Sequence, residues 1–168
     1  YNGEDFLENI YKLLKAHKLE ILGSLFYHPI VPLITTLDAE RQIKKDLDLK
    51  RDIFGIEPKG FYFPEMACNK KSFDVLDDFS FEYALIEGFP TIDCSKIYLI
   101  NNIYVVPRNR VLSDKIGYFF PKDRFYPAEE FVRDVLAYQN FVVVCNDFEN
   151  VGHHNKKETG IFEFIRYM

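Results

Sequence analysis

Residues 141–154 read FVVVCNDFENVGHH, and this stretch predicts the fold class. Its first half, residues 141–145, is a continuous apolar run of strand length, which is typical of a strand buried on both faces of a parallel sheet. Its second half is polar and carries carboxylates and histidines. Ligands of parallel α/β folds bind beyond the carboxyl ends of the strands. The stretch therefore predicts an α/β fold with a functional site directly after this strand.

Strands and helices alternate on the amino-terminal side of this stretch. Apolar runs predict strands over 19–26, 61–63 and 82–86, and a strand pair over 97–106 that turns at Asn101 and Asn102. Helical periodicity predicts helices over 5–17, between caps at Asp38 and Gly55, over 72–79, after Pro127, and at Ile161, Phe164, Ile165 and Met168. This alternation predicts a mostly parallel sheet, layered with helices or curved into a partial barrel. We expect one domain over residues 1–168.

Length and composition exclude several classes of protein. The 168 residues are too few for a complete (β/α)₈ barrel, which takes about 250. A hydrophobic fraction of 48% excludes a disordered chain, and the net charge of −5 argues against nucleic acid or a membrane as partner. Three cysteines without a CxxC motif, Cys68, Cys94 and Cys145, predict reduced thiols and a cytoplasmic protein.

Polar residues follow three of the predicted strands. His28 follows the first, Glu65 follows the second, and Asp147 follows residues 141–145. Each acid taken alone could be a helix N-cap, and His28 could be a packed loop residue. Because the three positions fall at one edge of the predicted sheet, we favour a site that works with two carboxylates.

Two further clusters leave alternatives open. Asp147, Glu149, His153 and His154 lie within eight positions and could bind a metal, but adjacent histidine side chains are expected to diverge. We therefore expect no metal and no cofactor. The segment 106–114 contains Arg108 and Asp114, and it is either a loop that caps a helix through Ser113 or Asp114 or a set of substrate contacts.

Four separated motifs resemble those of glycoside hydrolase family 57, an α-amylase-like family that acts on glucans. In chain order they are LEILGSLFYHPIVPLI (19–34), GIEPKGFYFPEMA (55–67), VPRNRVLSDKIGYFF (106–120) and VVVCNDFENVGHHNKKETGIFEFI (142–165). The resemblance runs from about residue 19 to the carboxyl end. It implies a partial (β/α) barrel, like the seven-stranded barrel of that family.

The resemblance also implies the roles of individual residues. The family motif GFW-x-PE places the catalytic nucleophile at Glu65, with Tyr62 where the family has tryptophan. The motif D-x-E-x-x-G places the general acid/base at Asp147. The implied substrate contacts are His28, Tyr62, Glu149, His153 and His154. Arg108 and Asp114 join them as candidate contacts on the second interpretation of segment 106–114.

The implied reaction is a double displacement on an α-glucan, by a hydrolase or a glucanotransferase that retains the anomeric configuration. The family's first motif, HQP, is absent from these 168 residues, so the resemblance implies a barrel without its first strand. Three explanations stay open: the protein begins earlier, another chain supplies the strand, or the chain is a degenerate relative. One alternative is a non-catalytic sugar-binding or split-subunit piece of such an enzyme. Another is a metal-dependent carbohydrate deacetylase, although the H-x-x-x-H spacing of those enzymes is missing.

Overall fold

The structure is a computed structural model that describes residues 3–117, 128–138 and 140–167. These residues form two compact units. The first unit comprises Tyr1–Ile86 and Leu99–Val105, and the second comprises Glu87–Tyr98 and Val106–Met168. Pro127 and Met168, which the sequence places in helices, lie outside the described residues. The expectation of a single domain stays a prediction.

One four-stranded sheet organises the fold. Its strands are β1 (Gly60–Tyr62), β2 (Tyr83–Ile86), β3 (Tyr98–Ile100) and β4 (Ile103–Pro107), in the order β1-β2-β4-β3. β1 and β2 pair in parallel, with Phe61 opposite Ala84. β3 and β4 form the predicted hairpin, and Asn101 and Asn102 turn it with φ of 48° and 63°. The fold is mixed α/β with a mostly parallel sheet, as expected, and the described strands do not close into a barrel.

The first predicted strand, 19–26, is reduced to a single parallel bridge between Gly23 and Phe61. The reason lies at Ser24. Its backbone N–H donates to the Asp46 carboxylate at 2.9 Å, and its hydroxyl donates to the Tyr62 carbonyl at 2.8 Å. The Ser24 hydroxyl therefore takes the Tyr62 carbonyl, which is the acceptor that a longer backbone ladder with β1 would use.

Residues 141–145 do not form a strand, so this prediction is wrong. The Val143 carbonyl accepts from the Asn109 N–H at 2.7 Å, and the Cys145 N–H donates to the Ser113 hydroxyl at 3.1 Å. A loop and a helix thus satisfy the backbone. All five side chains are half-buried rather than buried on both faces.

Six helices accompany the sheet in the described ranges. They are α1 (Gly3–Lys15), α2 (Thr36–Phe54), α3 (Lys70–Asp74), α4 (Arg110–Gly117), α5 (Ala128–Leu136) and α6 (Ile161–Tyr167). None of the helices in these ranges is long and apolar enough to cross a lipid bilayer.

The ends of α2 and α3 show how local sequence sets helix boundaries. Gly55 ends α2 with φ of 67°, as predicted, but the N-cap is Thr35 and not Asp38. The Thr35 hydroxyl accepts from the Asp38 N–H, which moves the start three residues earlier. α3 also starts earlier than predicted, because Asn69 and Ser72 form a capping box.

Each unit has its own apolar core. In the first, Phe61 lies in edge contact with Phe63 and Phe81, with ring centroids 4.9 Å apart in both pairs. In the second, Phe131 and Phe164 are 5.4 Å apart, and Val142 packs against their cluster. These cores support the backbone segments from which Glu65 and Asp147 extend.

Candidate functional site

Glu65 lies directly after β1, in a backbone conformation that few side chains adopt. Its φ is 56° and its ψ is 17°, and Met66 follows with φ of 51°. Two consecutive left-handed residues that are not glycine cost free energy, and such strain is frequent at functional sites. Buried Phe63 and Met66 hold the turn, while Glu65 itself is exposed. The N-cap of this short 3₁₀ turn is Phe63, so Glu65 does not serve as a cap.

The structure brings His28 and Glu65 together, although they are far apart in sequence. His28 Nε2 lies 3.1 Å from Glu65 Oε1, and both side chains are exposed. His28 also has a left-handed backbone, with φ of 56°. Because an ionised carboxylate only accepts hydrogen bonds, this bond requires the proton on Nε2. The pair is an accessible acid–imidazole unit at the carboxyl end of β1.

Aromatic side chains flank this pair. Tyr62 is half-buried on β1, next to the Glu65 turn. Tyr27, adjacent to His28, is 68% exposed and accepts a hydrogen bond from Lys45 Nζ at 2.5 Å. Lys45 Nζ also lies 4.2 Å from the ring centroid of Phe26. Tyr27 stands in the Tyr27-His28-Pro29 cluster that follows the first predicted strand, whereas the contact of Lys45 with it had no signal in the sequence.

In the second unit, Arg108 follows β4 and binds three partners. Its Nε and Nη2 donate to the Glu87 carboxylate at 2.9 and 2.7 Å, and Nη2 lies 3.7 Å from Asp114 Oδ1. Its Nη1 donates to the Cys145 carbonyl at 3.1 Å. The three charged side chains are 17 to 19% exposed. Burial lowers the pKa of Arg108, but the hydrogen bonds and charge of Glu87, with the charge of Asp114, outweigh it and raise the pKa overall.

Glu87 was missed by sequence reasoning. It comes directly after β2, so the rule that singled out Glu65 and Asp147, a polar residue at a strand end, would have found it. The predicted capping role of Ser113 or Asp114 is wrong. Asn109 caps α4, because its side-chain oxygen accepts from the Leu112 N–H at 3.0 Å.

Asp147 is exposed at the start of a short 3₁₀ turn, Phe148–Asn150. Its backbone carbonyl accepts from the Asn150 N–H at 3.0 Å, but its carboxylate makes no capping hydrogen bond. The loop rests on the end of α4. A Cβ at Gly117 would come within 2.7 Å of the Asn146 side-chain oxygen, so glycine allows this close approach without moving the Asn146 side chain.

The histidines after Asp147 pack against each other. The rings of His153 and His154 are 4.9 Å apart in an edge-to-face arrangement, so the expectation that they diverge is wrong. His154 Nε2 lies 3.1 Å from Glu149 Oε1. In the part of the chain that the structure describes, no three His, Cys, Asp or Glu residues are grouped so as to hold a metal ion.

Glu65, His28 and Tyr62 belong to the first unit, while Asp147, Arg108, Asp114 and the Glu149–His154 group belong to the second. Within the first unit, His28 meets Glu65. Within the second, Arg108 meets Asp114 and Glu149 meets His154. The catalytic and binding roles assigned to these residues stay predictions.

Comparisons with known proteins agree on the family and the fold. The family model described as glycosyl hydrolase family 57 matches residues 1–168. A Methanocaldococcus jannaschii protein named "Putative alpha-amylase" is 29% identical over 98% of this chain, which spans 38% of that protein. The chain thus covers well under half of this curated relative.

Solved structures show the same fold. The 4-α-glucanotransferase of Thermococcus litoralis matches 98% of this chain with a TM-score of 0.74 and 21% identity, and the chain covers 27% of it. A branching enzyme from Thermococcus kodakaraensis, solved with glucose, matches 97% with a TM-score of 0.75 and 16% identity, and the chain covers 46% of it. At these identities the likeness establishes the fold.

Proposed function

Because the chain belongs to glycosyl hydrolase family 57, we propose that it carries the catalytic residues of a retaining enzyme that hydrolyses or transfers α-glucans. The observation that supports this most is Glu65. It lies in the GFYFPE motif at the carboxyl end of β1, on a strained turn that exposes its carboxylate beside His28. A nucleophile needs this exposure and a fixed backbone.

In the proposed mechanism, ionised Glu65 attacks the anomeric carbon while Asp147 protonates the departing glycosidic oxygen. A covalent glycosyl-enzyme results. Asp147, now ionised, then takes a proton from water or from an acceptor sugar, whose oxygen attacks the same carbon and frees Glu65. This requires the two carboxyl groups to lie about 5 to 5.5 Å apart.

The other site residues serve the substrate in this proposal. His28 and Tyr62 contact the sugar next to Glu65. Glu149, His153 and His154 contact it next to Asp147. Arg108 and Asp114 are the exception: they are 17 and 19% exposed and lie 3.7 Å apart, so they act through the protein rather than on the sugar. Tyr62 replaces the family tryptophan and offers a smaller stacking surface.

Substitution of the two carboxylates tests the proposal. Glu65→Gln and Asp147→Asn preserve shape and remove the charge, so each should lower turnover of maltooligosaccharides by at least about 100-fold. The urea midpoint of each variant should match the parent, because both side chains are exposed. Glu57→Gln, an exposed glutamate next to the same motif, is the matched control and should keep full activity. Retained turnover in either site variant refutes that residue's role.

A second candidate is a non-catalytic sugar-binding or split-subunit fragment of such an enzyme, and a fragment fits the partial coverage of the relatives. In that case the four strands belong to a seven-stranded barrel whose first strand another chain supplies, in a cytoplasmic complex. Size-exclusion chromatography together with a maltooligosaccharide assay separates the two candidates. A monomer that turns over the oligosaccharide excludes the non-catalytic role. A monomer that binds glucan without cleaving it favours that role. A carbohydrate deacetylase activity that is lost when a chelator is added would instead indicate the metal-dependent deacetylase.

A further inference from the structure

The segment that leads to Asp147 is held at three points, and the last of them along the chain is bound by Arg108. The Val143 carbonyl accepts from Asn109, the Cys145 N–H donates to Ser113, and the Cys145 carbonyl accepts from Arg108 Nη1 at 3.1 Å. Asp147 follows two residues later. The last fixed backbone group before the carboxylate is therefore bound by a guanidinium.

The guanidinium is itself fixed by carboxylates. Glu87 binds it with two parallel hydrogen bonds, the geometry that a planar guanidinium matches best. Asp114, on α4, places its Oδ1 3.7 Å from the same Nη2. The side chains of Arg108 and Glu87 are less than one-fifth exposed, so a sugar has little room to contact them. The donors of Arg108 point to protein acceptors on three segments: the end of β2, α4 and residues 141–147.

We propose that Arg108 is a positioning residue for the general acid Asp147, and that Glu87 holds Arg108 in place for this task. The proposal rests on the proposed function. Without the Arg108 hydrogen bond the Cys145 carbonyl loses its donor, and Glu87 and Asp114 are left as like charges in a poorly hydrated place. The backbone before Asp147 then shifts, and a displacement of about 1 Å can cost about 100-fold in rate.

The test uses two substrates that differ in their need for an acid. The leaving group of a maltooligosaccharide is a sugar alkoxide, which needs a proton to depart as an alcohol. The leaving group of α-maltosyl fluoride is fluoride, which departs without a proton. Both substrates use the same nucleophile. Because Asp147 is also the base of the second step, the comparison uses the rate of glycosyl-enzyme formation, measured by rapid quench and mass spectrometry. Asp147→Asn defines the expected pattern: a large loss of this rate with the oligosaccharide and a small loss with the fluoride.

Arg108→Met should reproduce this pattern, with the rate of glycosyl-enzyme formation lowered about 100-fold for the oligosaccharide and less than about tenfold for the fluoride. The oligosaccharide concentration that half-saturates this rate should stay within about twofold of the parent. Rates are expressed per active site, counted by mass spectrometry of the trapped glycosyl-enzyme, so that misfolded protein does not enter the comparison.

Two further variants keep the result decisive. Arg108→Lys retains the charge and the fold but cannot bind Glu87 and Cys145 together, so it should show the same selective loss to a smaller extent. Glu87→Gln should likewise slow the reaction of the oligosaccharide more than that of the fluoride. Arg110→Lys is the matched control, because Arg110 contacts the same Asp114 from an exposed position and should leave both substrates unaffected.

Equal loss on both substrates in Arg108→Met and Arg108→Lys would overturn the proposal, because it would show a general structural role. A raised half-saturating concentration with an unchanged maximal rate of glycosyl-enzyme formation would also overturn it, since that is the behaviour of a substrate contact. If the parent turns over neither substrate, or if Asp147→Asn keeps full activity, the proposed function itself fails and this inference fails with it.

Discussion

At the scale of single residues, burial next to the strained Glu65 turn changes the chemistry of Cys68. Burial raises the pKa of the Cys68 thiol to about 11. Only the thiolate reacts with iodoacetamide, so Cys68 of the native protein should be alkylated slowly at pH 8, and the rate should rise as the pH approaches 11. Peptide mass spectrometry after timed alkylation measures this rate.

The control for Cys68 is the same residue in urea. There the thiol regains its ordinary pKa, and alkylation at pH 8 should become much faster. The raised pKa also makes the free energy of unfolding depend on pH. Because the folded state holds the thiol proton more tightly than the unfolded state, the contribution of Cys68 to stability is fully present below its unfolded pKa. This contribution is lost as the pH rises toward about 11. Equal native and unfolded rates at pH 8 would contradict the burial of Cys68.

At the scale of elements, the start of α2 is set by one hydroxyl. The Thr35 hydroxyl accepts from the Asp38 N–H at 3.2 Å and donates to the Asp38 carboxylate at 2.7 Å. Thr35→Ala removes this cap and should lower the free energy of unfolding by about 1 kcal/mol. Urea denaturation followed by circular dichroism measures the change.

The neighbouring threonine is the matched control for the cap. Thr36 is also exposed, but it lies inside the first turn of α2. Thr36→Ala should therefore leave stability unchanged or raise it by a few tenths of a kcal/mol, since alanine is the better helix former. If the two variants are equally destabilised, Thr35 is not the cap.

At the scale of the whole molecule, the proposed mechanism is tested by the stereochemistry of the product. A double displacement needs both carboxyl groups at one sugar ring and returns the α-anomer, whereas a single displacement by water returns the β-anomer. We expect the first product of α-glucan hydrolysis to be the α-anomer. Proton NMR recorded before mutarotation distinguishes the two. An initial β-anomer would contradict the roles given to Glu65 and Asp147.

The sequence by itself determined what depends on neighbouring residues. The Asn101–Asn102 turn, the end of α2 at Gly55 and the α/β alternation follow from local backbone preferences and from periodicity, so they could be predicted. The motif around Glu65 was also readable, because it is contiguous.

Only the tertiary structure decided which groups satisfy one another over long distances in sequence. Residues 141–145 have the composition of a buried strand, yet Asn109 and Ser113 take their backbone hydrogen bonds. Arg108 looked equally suited to a loop or to a substrate contact, and Glu87, 21 positions away, turns it inward. Such hydrogen bonds and ion pairs join residues that only the folded chain brings together. A local sequence pattern therefore does not predict which donor will bind which acceptor.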